Sequence, residues 1–318
     1  MKCFDKSLLL GNESLNGVFN EAKELKELGK NKEANECLKK AAKIALTNKT
    51  TLINKSQIFY NLEEYEMAIK CLNLILKLNP NDEEVLENKL HLLQKLDDDE
   101  EVIKVINKLI KLNPNDEELY RIKSGSLLDL NRPKEALECI DKALEINPND
   151  ELILFCKSDI LIHLNEFSKA LKYLNKALEK NQDYIFFWRT KGAIFDKLFM
   201  YEKAIEYYDK TLELDPNDEL SWINKAKVYG KLDDSEKELY CCNKVLEINP
   251  ENTEALVQKA FALEENEEYE EAIQCLNKGI ELTGDEFLIE IKDRIKDHMV
   301  LEKSLNKQLK ENNFEDEE

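Results

Sequence analysis

Residues 185–218 read IFFWRTKGAIFDKLFMYEKAIEYYDKTLELDPND, and this stretch decides the fold. Trp188 and Phe195 lie seven residues apart, which is two helical turns, so they share one face of an α-helix. Ala204 and Tyr208, four residues apart, begin a second apolar series with the same helical spacing. The segment therefore predicts two amphipathic helices in succession.

The pattern repeats every 34 residues along the chain, with no insertion. Five of the six prolines keep this spacing: Pro80, Pro114, Pro148, Pro216 and Pro250. Five of the eight cysteines keep it as well: Cys37, Cys71, Cys139, Cys241 and Cys275. Counting from the prolines divides residues 15–286 into eight units: 15–48, 49–82, 83–116, 117–150, 151–184, 185–218, 219–252 and 253–286.

Two positions, counted from the first residue of each unit, predict where the paired helices come closest. Position 8 is small in most units, as at Ser124, Gly192 and Ala260, and position 20 is usually alanine. Small side chains at both positions let the two helix backbones approach. The Asn and Asp residues after each proline are expected to cap the next helix, and the proline is expected to stop the preceding one.

At these residues the sequence resembles the tetratricopeptide repeat family. The unit 185–218 carries most of that family's pattern, with Trp188, Gly192, Phe195, Ala204 and Pro216 at the matching positions. Lysine at position 7, where the family has leucine, is the main departure. The resemblance implies an all-α fold, an α-solenoid in which eight helix-turn-helix repeats form a right-handed superhelix.

The residues outside the eight units have separate predictions. Residues 1–14 form an N-terminal segment, and residues 287–310 a helix that caps the last repeat, with Ile291, Ile295 and Met299 facing inward. Residues 311–318, rich in acidic side chains, are predicted to be a disordered tail.

Charge and hydropathy restrict the partners and the location. The net charge of the 318 residues is −20, which disfavours nucleic acid and anionic membrane surfaces. Helical repeats of similar length can read single-stranded RNA, so RNA binding is the alternative function, but it would require a basic groove. No apolar run approaches the roughly 18 residues that a membrane span needs. We therefore expect a soluble, cytoplasmic protein with reduced, structural cysteines.

The sequence offers no catalytic, metal-binding or cofactor-binding residues. The three histidines are far apart, and none has a metal-ligand neighbour at helical spacing. None of the eight glycines falls in a phosphate-binding loop. We predict a protein that is not an enzyme, requires no cofactor and acts on no small-molecule substrate.

The expected function is that of a scaffold or adaptor that binds a peptide or protein partner in a concave groove. The resemblance implies that the first helix of each unit lines this groove, through positions 2, 5, 9, 12 and 13. In the units spanning 117–218 these positions bring together aromatic, aliphatic and arginine side chains, the residue types that dominate binding hot spots. The candidate groove residues are Arg121, Leu128, Leu152, Phe155, Ile162, Phe186 and Arg189.

Two further features carry predictions about packing. The position-7 lysines, present in seven units, are predicted to lay their stems across the helix interface and pair with nearby acidic groups. Glu238 occupies position 20, where six units have alanine. A carboxylate there is predicted either to escape through a locally opened hairpin or to find compensation at Lys225, Lys231 or Lys237.

Overall fold

A computed structural model describes residues 49–315, together with residues 24–26, 28–30, 32–34 and 36. The predictions for the N-terminal segment 1–14 and for most of the unit 15–48 lie outside these residues. From 49 to 315 the chain forms helices joined by short turns, and this part contains no strand. The predicted all-α class is therefore confirmed for these residues.

Fifteen helices follow one another between residues 49 and 315. Their bounds are α1 Lys49–Asn61, α2 Tyr65–Leu78, α3 Glu83–Lys95, α4 Asp99–Leu112, α5 Glu117–Asp129, α6 Pro133–Ile146, α7 Glu151–His163, α8 Phe167–Lys180, α9 Ile185–Lys197, α10 Tyr201–Leu214, α11 Glu219–Lys231, α12 Ser235–Ile248, α13 Thr253–Glu265, α14 Tyr269–Thr283 and α15 Glu286–Glu315.

The chain divides into two compact units, Met1–Leu164 and Asn165–Glu318. In the first, α1 packs on α2, α3 on α4 and α5 on α6, and α7 packs on α6. In the second, α9 packs on α10, α11 on α12 and α13 on α14, while α8 packs on α9 and α15 on α14. The predicted right-handed superhelix stays a prediction.

Acidic and amide side chains begin the first helix of most pairs. The Asp150 side chain accepts from the backbone N–H of Ile153 at 2.9 Å, and Asn252 accepts from that of Ala255 at 2.9 Å. Each bond satisfies an N–H group that has no partner inside the helix. The predicted capping is confirmed here and at Asp82, Asp116 and Asp218.

The second helices end two residues before the repeated prolines, as at Ile146 before Pro148. Proline disfavours the helical conformation in the residue before it, and the preceding residue, Asn147, has φ −128° and ψ 87°. Helix α8 ends at Lys180, although Gln182 stands at the proline position of that unit. Proline therefore reinforces a helix end that the adjoining cap and turn also specify.

A left-handed residue follows the first helix of every pair. Its φ lies between 52° and 65° at Glu63, Asp97, Asn131, Asn165, Phe199, Asp233 and Glu267. None of these seven residues is glycine, although glycine adopts this conformation at the least cost. The turn is thus repeated with the same geometry by four residue types: Glu, Asp, Asn and Phe.

Small residues occupy the closest approach of the paired helices, as predicted. Ala68, Ala136, Ala204 and Ala272 at position 20 are fully buried. A Cβ atom added at Gly192 would lie 2.6 Å from Cε1 of the buried Tyr208 ring. A large side chain at position 24 is therefore accommodated by the loss of a side chain at position 8.

Helix α15 covers the end of the second unit. Leu288, Ile291 and Ile295 are buried in one apolar cluster with Leu276 of α14, which confirms the inward placement of both isoleucines. The helix continues to Glu315, so the prediction of a disordered tail from residue 311 is wrong for 311–315. No proline or glycine after Gly284 interrupts this helix. Residues 316–318 lie outside the described part.

None of the described helices combines the length and the apolar character that a membrane crossing demands.

Candidate functional site

The candidate groove residues of the first unit lie on α5 and α7. Leu152 is exposed (41%), whereas Phe155 and Ile162 are half-buried. Leu128 packs against the apolar cluster that contains Ile140, so it supports the hairpin. Arg121 is held by Glu118, with 2.7 Å between Nε and Oε2. Its cation is thus already paired within the chain.

A cavity of about 290 Å³ lies beside Arg121. Its lining includes Gly125, Asp129 and Cys156. Asp97, in the turn before α4, and Asp99, the first residue of α4, also line it. Gly125 has no atom within 4 Å of where a Cβ would stand, so this side of α5 is open. Three carboxyl groups therefore face one open space.

The carboxyl groups around this cavity repel one another. Burial raises the pKa of Asp129, and the charges of Asp99 and Asp97 raise it further. Burial also raises the pKa of Asp159, to which the charge of Asp129 adds. A cationic group in the cavity would relieve this repulsion. Sequence reasoning placed Asp129 at a groove position but did not bring it together with the two aspartates of the preceding unit.

The candidate residues of the second unit, Phe186 and Arg189, lie one turn apart on α9. Phe186 is 42% exposed, and the guanidinium carbon of Arg189 lies 4.6 Å from the centre of its ring. Arg189 also donates from Nη1 to Oδ1 of Asp218 at 2.6 Å. Tyr184 adds a third group, its ring centre 5.1 Å from that of Phe186. Tyr184 and Phe186 therefore form an exposed aromatic surface, beside which Asp218 holds the Arg189 cation in place.

Among the described residues, the predicted pairing with an acidic group forms at three of the seven position-7 lysines, and two others donate to an amide oxygen instead. Lys157 pairs with Asp141 and Lys225 with Asp209, both at 2.5 Å. Lys123 and Lys259 donate at 2.7 Å to Asn107 and Asn243. In each case the acceptor stands 16 residues earlier, on the second helix of the preceding pair.

Three position-7 lysines have other surroundings. Lys89 lies 3.7 Å from Glu101. Lys55 lies 5.8 Å from the ring centre of Phe59, and burial lowers its pKa. Lys191 lies over the rings of Trp188 and Tyr207, at 5.6 and 4.5 Å, and burial lowers its pKa too.

Glu238 is buried (2% exposed) in a closed hairpin, and its partner is not one of the predicted lysines. Gln258, from the first helix of the next pair, donates from Nε2 to Oε1 of Glu238 at 2.5 Å. The opening of the hairpin and the lysine compensation are both wrong, because Lys225, Lys231 and Lys237 pair with Asp209, Asp196 and Asp234 instead. Burial raises the pKa of Glu238, and the Gln258 hydrogen bond opposes that rise.

The histidines have local partners. Nε2 of His91 lies 3.2 Å from Oη of Tyr60, and Nδ1 of His163 lies 3.0 Å from the backbone oxygen of Asp159. Nδ1 of His298 lies 2.9 Å from Oε1 of Glu264. Among the described residues, no three His, Cys, Asp or Glu side chains are grouped so as to hold a metal ion.

Comparison with known families identifies the repeats. The tetratricopeptide repeat pattern matches residues 18–183, and further matches to the same kind of repeat cover 186–218, 207–240 and 241–274. This chain belongs to the tetratricopeptide repeat family. The predicted fold class, an all-α array of tetratricopeptide repeats, is thereby confirmed. No curated protein matches the sequence.

Solved structures with this fold include distant tetratricopeptide repeat proteins. One from Parabacteroides merdae is 16% identical, with a TM-score of 0.64 over 77% of this chain and 97% of its own. The C-terminal part of one from Cytophaga hutchinsonii is 19% identical, with a TM-score of 0.52 over 61% and 78%. A chain of the APC/C hetero-tetramer Cut9–Hcn1 is 16% identical, with a TM-score of 0.54 over 92% and 60%. At these identities the likeness concerns the fold alone.

Proposed function

We propose that this tetratricopeptide repeat protein is a non-catalytic scaffold or adaptor that binds a peptide or protein partner through the groove faces of its first helices. The acidic cavity beside Arg121 is the observation that carries the proposal. Its Asp97, Asp99 and Asp129 carboxyl groups suit a lysine or arginine side chain of the partner. Membership of a repeat family that presents extended binding surfaces supports the same function.

Apolar contacts would supply the rest of the binding surface. Leu152 is one helical turn before the cavity-lining Cys156, so the two share a face of α7. An apolar partner residue next to the basic one would cover Leu152 and the half-buried Phe155. In the second unit, Phe186 and Arg189 form the corresponding aromatic surface.

RNA binding is the less suitable alternative. Phosphate groups in the cavity would meet three aspartates, and the arginines of the candidate groove are already paired with Glu118 and Asp218. A cytoplasmic location belongs to the same proposal, because buried free thiols such as Cys139 and Cys241 suit a reducing compartment.

The test is a selection from a random peptide library displayed against the intact protein. Enriched peptides are expected to carry Lys or Arg beside an apolar residue. The double variant Asp99→Asn, Asp129→Asn should lose the preference for basic residues, while Leu152→Ala should weaken binding of the enriched peptides. Asp297→Asn, an exposed substitution on α15, is the control for a change of charge.

Several results would count against this proposal. Enrichment of acidic peptides, or an undiminished basic preference in the double aspartate variant, would exclude the cavity as the binding site. Capture of single-stranded RNA in place of peptides at physiological salt would favour the alternative.

A further inference from the structure

At two of the position-7 lysines, Lys89 and Lys191, the residue 16 positions earlier is an asparagine that does not bind the lysine. Lys89 has Glu101 at 3.7 Å, whereas Lys191 has no acidic partner among the described residues. Asn175 stands 16 residues before Lys191, the same separation as in the four bonded pairs. No bond joins them, and within the described chain the Lys191 ammonium has neither a hydrogen-bond acceptor nor an ion-pair partner. The ammonium group lies over the rings of Trp188 and Tyr207.

A cavity of about 360 Å³ lies beside this lysine, and the second unit supplies its whole lining. The walls are Asn175, Leu178, Glu179, Gln182, Trp188 and Lys191. The residues belong to the end of α8, the turn after it and the start of α9. Positions 4 and 7 of α9 face this cavity, whereas the groove positions 2 and 5, held by Phe186 and Arg189, face another side of the helix.

The absence of a proline helps to create this space. Gln182 stands at the proline position of the repeat, and its backbone oxygen accepts from Nε1 of Trp188 at 2.7 Å. The Gln182 side chain adds an amide to the cavity wall, where five other units have a proline ring. Neither this amide nor that of Asn175 is hydrogen-bonded to another described residue.

The cavity thus offers one cation and two amide groups with spare hydrogen-bond donors, above an indole face and the buried Leu178. An ammonium that is half-buried without a counter-ion is costly, and the burial that lowers the Lys191 pKa reports the same cost. The negative charge of Glu206 partly offsets the lowering of the Lys191 pKa, and Glu179 lies in the cavity wall. Neither forms an ion pair with Lys191 in the described structure.

We propose that this cavity binds a carboxylate group, with Lys191 as the counter-ion and Trp188 as an apolar floor. In the neighbouring units an internal acceptor holds that place: the Asp209 carboxylate lies 2.5 Å from Lys225, which also sits over Trp222. A ligand carboxylate at Lys191 would reproduce this arrangement from outside the chain. The site is separate from the proposed groove and does not depend on the function proposed for it.

The protein contains two tryptophans, which give an internal comparison. Both indole N–H groups donate to a backbone oxygen six residues earlier, Trp188 to Gln182 and Trp222 to Pro216. Only Trp188 adjoins the lysine without an acceptor. Titration of the ¹⁵N-labelled full chain with glutarate, followed through the two indole signals, therefore compares the site with its occupied counterpart.

We expect glutarate to shift the Trp188 signal in a saturable way and to leave the Trp222 signal in place. Glutaramide, the neutral amide, should shift neither. Lys191→Met should abolish the shift. Asn175→Asp should abolish it as well, by supplying the internal carboxylate that Lys157 and Lys225 have in Asp141 and Asp209. Lys225→Met is the matched control and should keep it. The proposal is overturned if glutaramide acts as glutarate does, if Trp222 responds equally, or if folded Lys191→Met retains the response.

A second pair of probes identifies the source of the carboxylate. The peptide Ac-Ala-Leu-Glu-Leu-Ala-NH₂ presents the same group on a polypeptide, with its Gln counterpart as the control. Tighter binding of the Glu peptide than of glutarate would assign the site to an acidic protein segment, and the reverse order would assign it to a free dicarboxylic acid. Failure of the library selection described for the groove would leave these results unaffected.

Discussion

Gly230 and Glu238 are expected to be energetically coupled, and the substitution Gly230→Ala measures that coupling. Gly230 is the penultimate residue of α11, so alanine gains there at most the roughly 1 kcal/mol by which it is favoured over glycine in a helix interior. The added Cβ, however, would lie 2.8 Å from Oε2 of Glu238 and 3.1 Å from its Oε1 and Cδ. Overpacking of this kind costs about 1–3 kcal/mol. We therefore expect a net loss of about 1 kcal/mol in the free energy of unfolding.

The same substitution should have the opposite sign once the carboxylate is removed. All three atoms nearest to the added Cβ belong to Glu238, so Glu238→Ala clears the space. In that background Gly230→Ala keeps the advantage of its helix propensity and should stabilise by up to about 1 kcal/mol. The double-mutant cycle thus predicts a coupling of about 2 kcal/mol between the two positions.

Thermal unfolding followed by circular dichroism, with amide hydrogen exchange over α11 and α12, would measure the four proteins of the cycle. Exchange is needed because repeat arrays can open one repeat at a time, and a single melting curve then mixes several events. Additivity within about 0.5 kcal/mol would refute the argument, since it would mean that the Glu238 carboxylate does not occupy the space beside Gly230.

Two further predictions concern buried groups. Glu238→Gln should stabilise the fold at neutral pH, because burial raises the pKa of Glu238. The gain in the free energy of unfolding should shrink as the pH falls through that raised pKa and vanish below pH 4.5, where the folded and unfolded states both bind the proton. A constant gain from pH 4 to 8 would contradict this, and the exposed substitution Glu236→Gln is the control. Gly192→Ala should lower the free energy of unfolding in urea by about 1–3 kcal/mol, because the new methyl group meets the Tyr208 ring. A second change, Tyr208→Leu, should recover most of that loss. No recovery would mean that another contact is responsible.

The sequence was sufficient for the helices because three local signals agree at most repeats. Apolar spacing fixes the faces, Asn and Asp fix the starts, and proline reinforces the ends. Before α9 both the proline and the capping Asn or Asp are absent, and the apolar spacing alone marks the helices there. The Gly192 and Tyr208 pair was also present in the sequence, as the smallest position 8 facing the largest position 24. These features depend on residues within one repeat, so they can be predicted once the 34-residue period is known.

The partners of charged side chains were harder to predict. Gln258 reaches Glu238 from the following repeat, and the lysines that seemed nearer in sequence pair elsewhere. Asp218 holds Arg189 while it also caps α11. Such choices depend on side-chain rotamers between neighbouring hairpins, which the spacing of residues does not determine. The aspartate cavity was missed for the same reason.

The left-handed turn of each hairpin makes this array adjustable one repeat at a time. Seven non-glycine residues adopt that conformation, and a side chain there costs about 1–2 kcal/mol, least for Asn and Asp. At Phe199 this conformational cost is offset least, because the residue is 79% exposed and its side chain gains little from packing. Glycine at these turns would raise the stability of individual hairpins without touching the surfaces between them. Variants with glycine at one or more of these turns would separate the intrinsic stability of a repeat from its cooperativity with its neighbours. Natural substitutions at the same turns can adjust the stability of each hairpin in the same way.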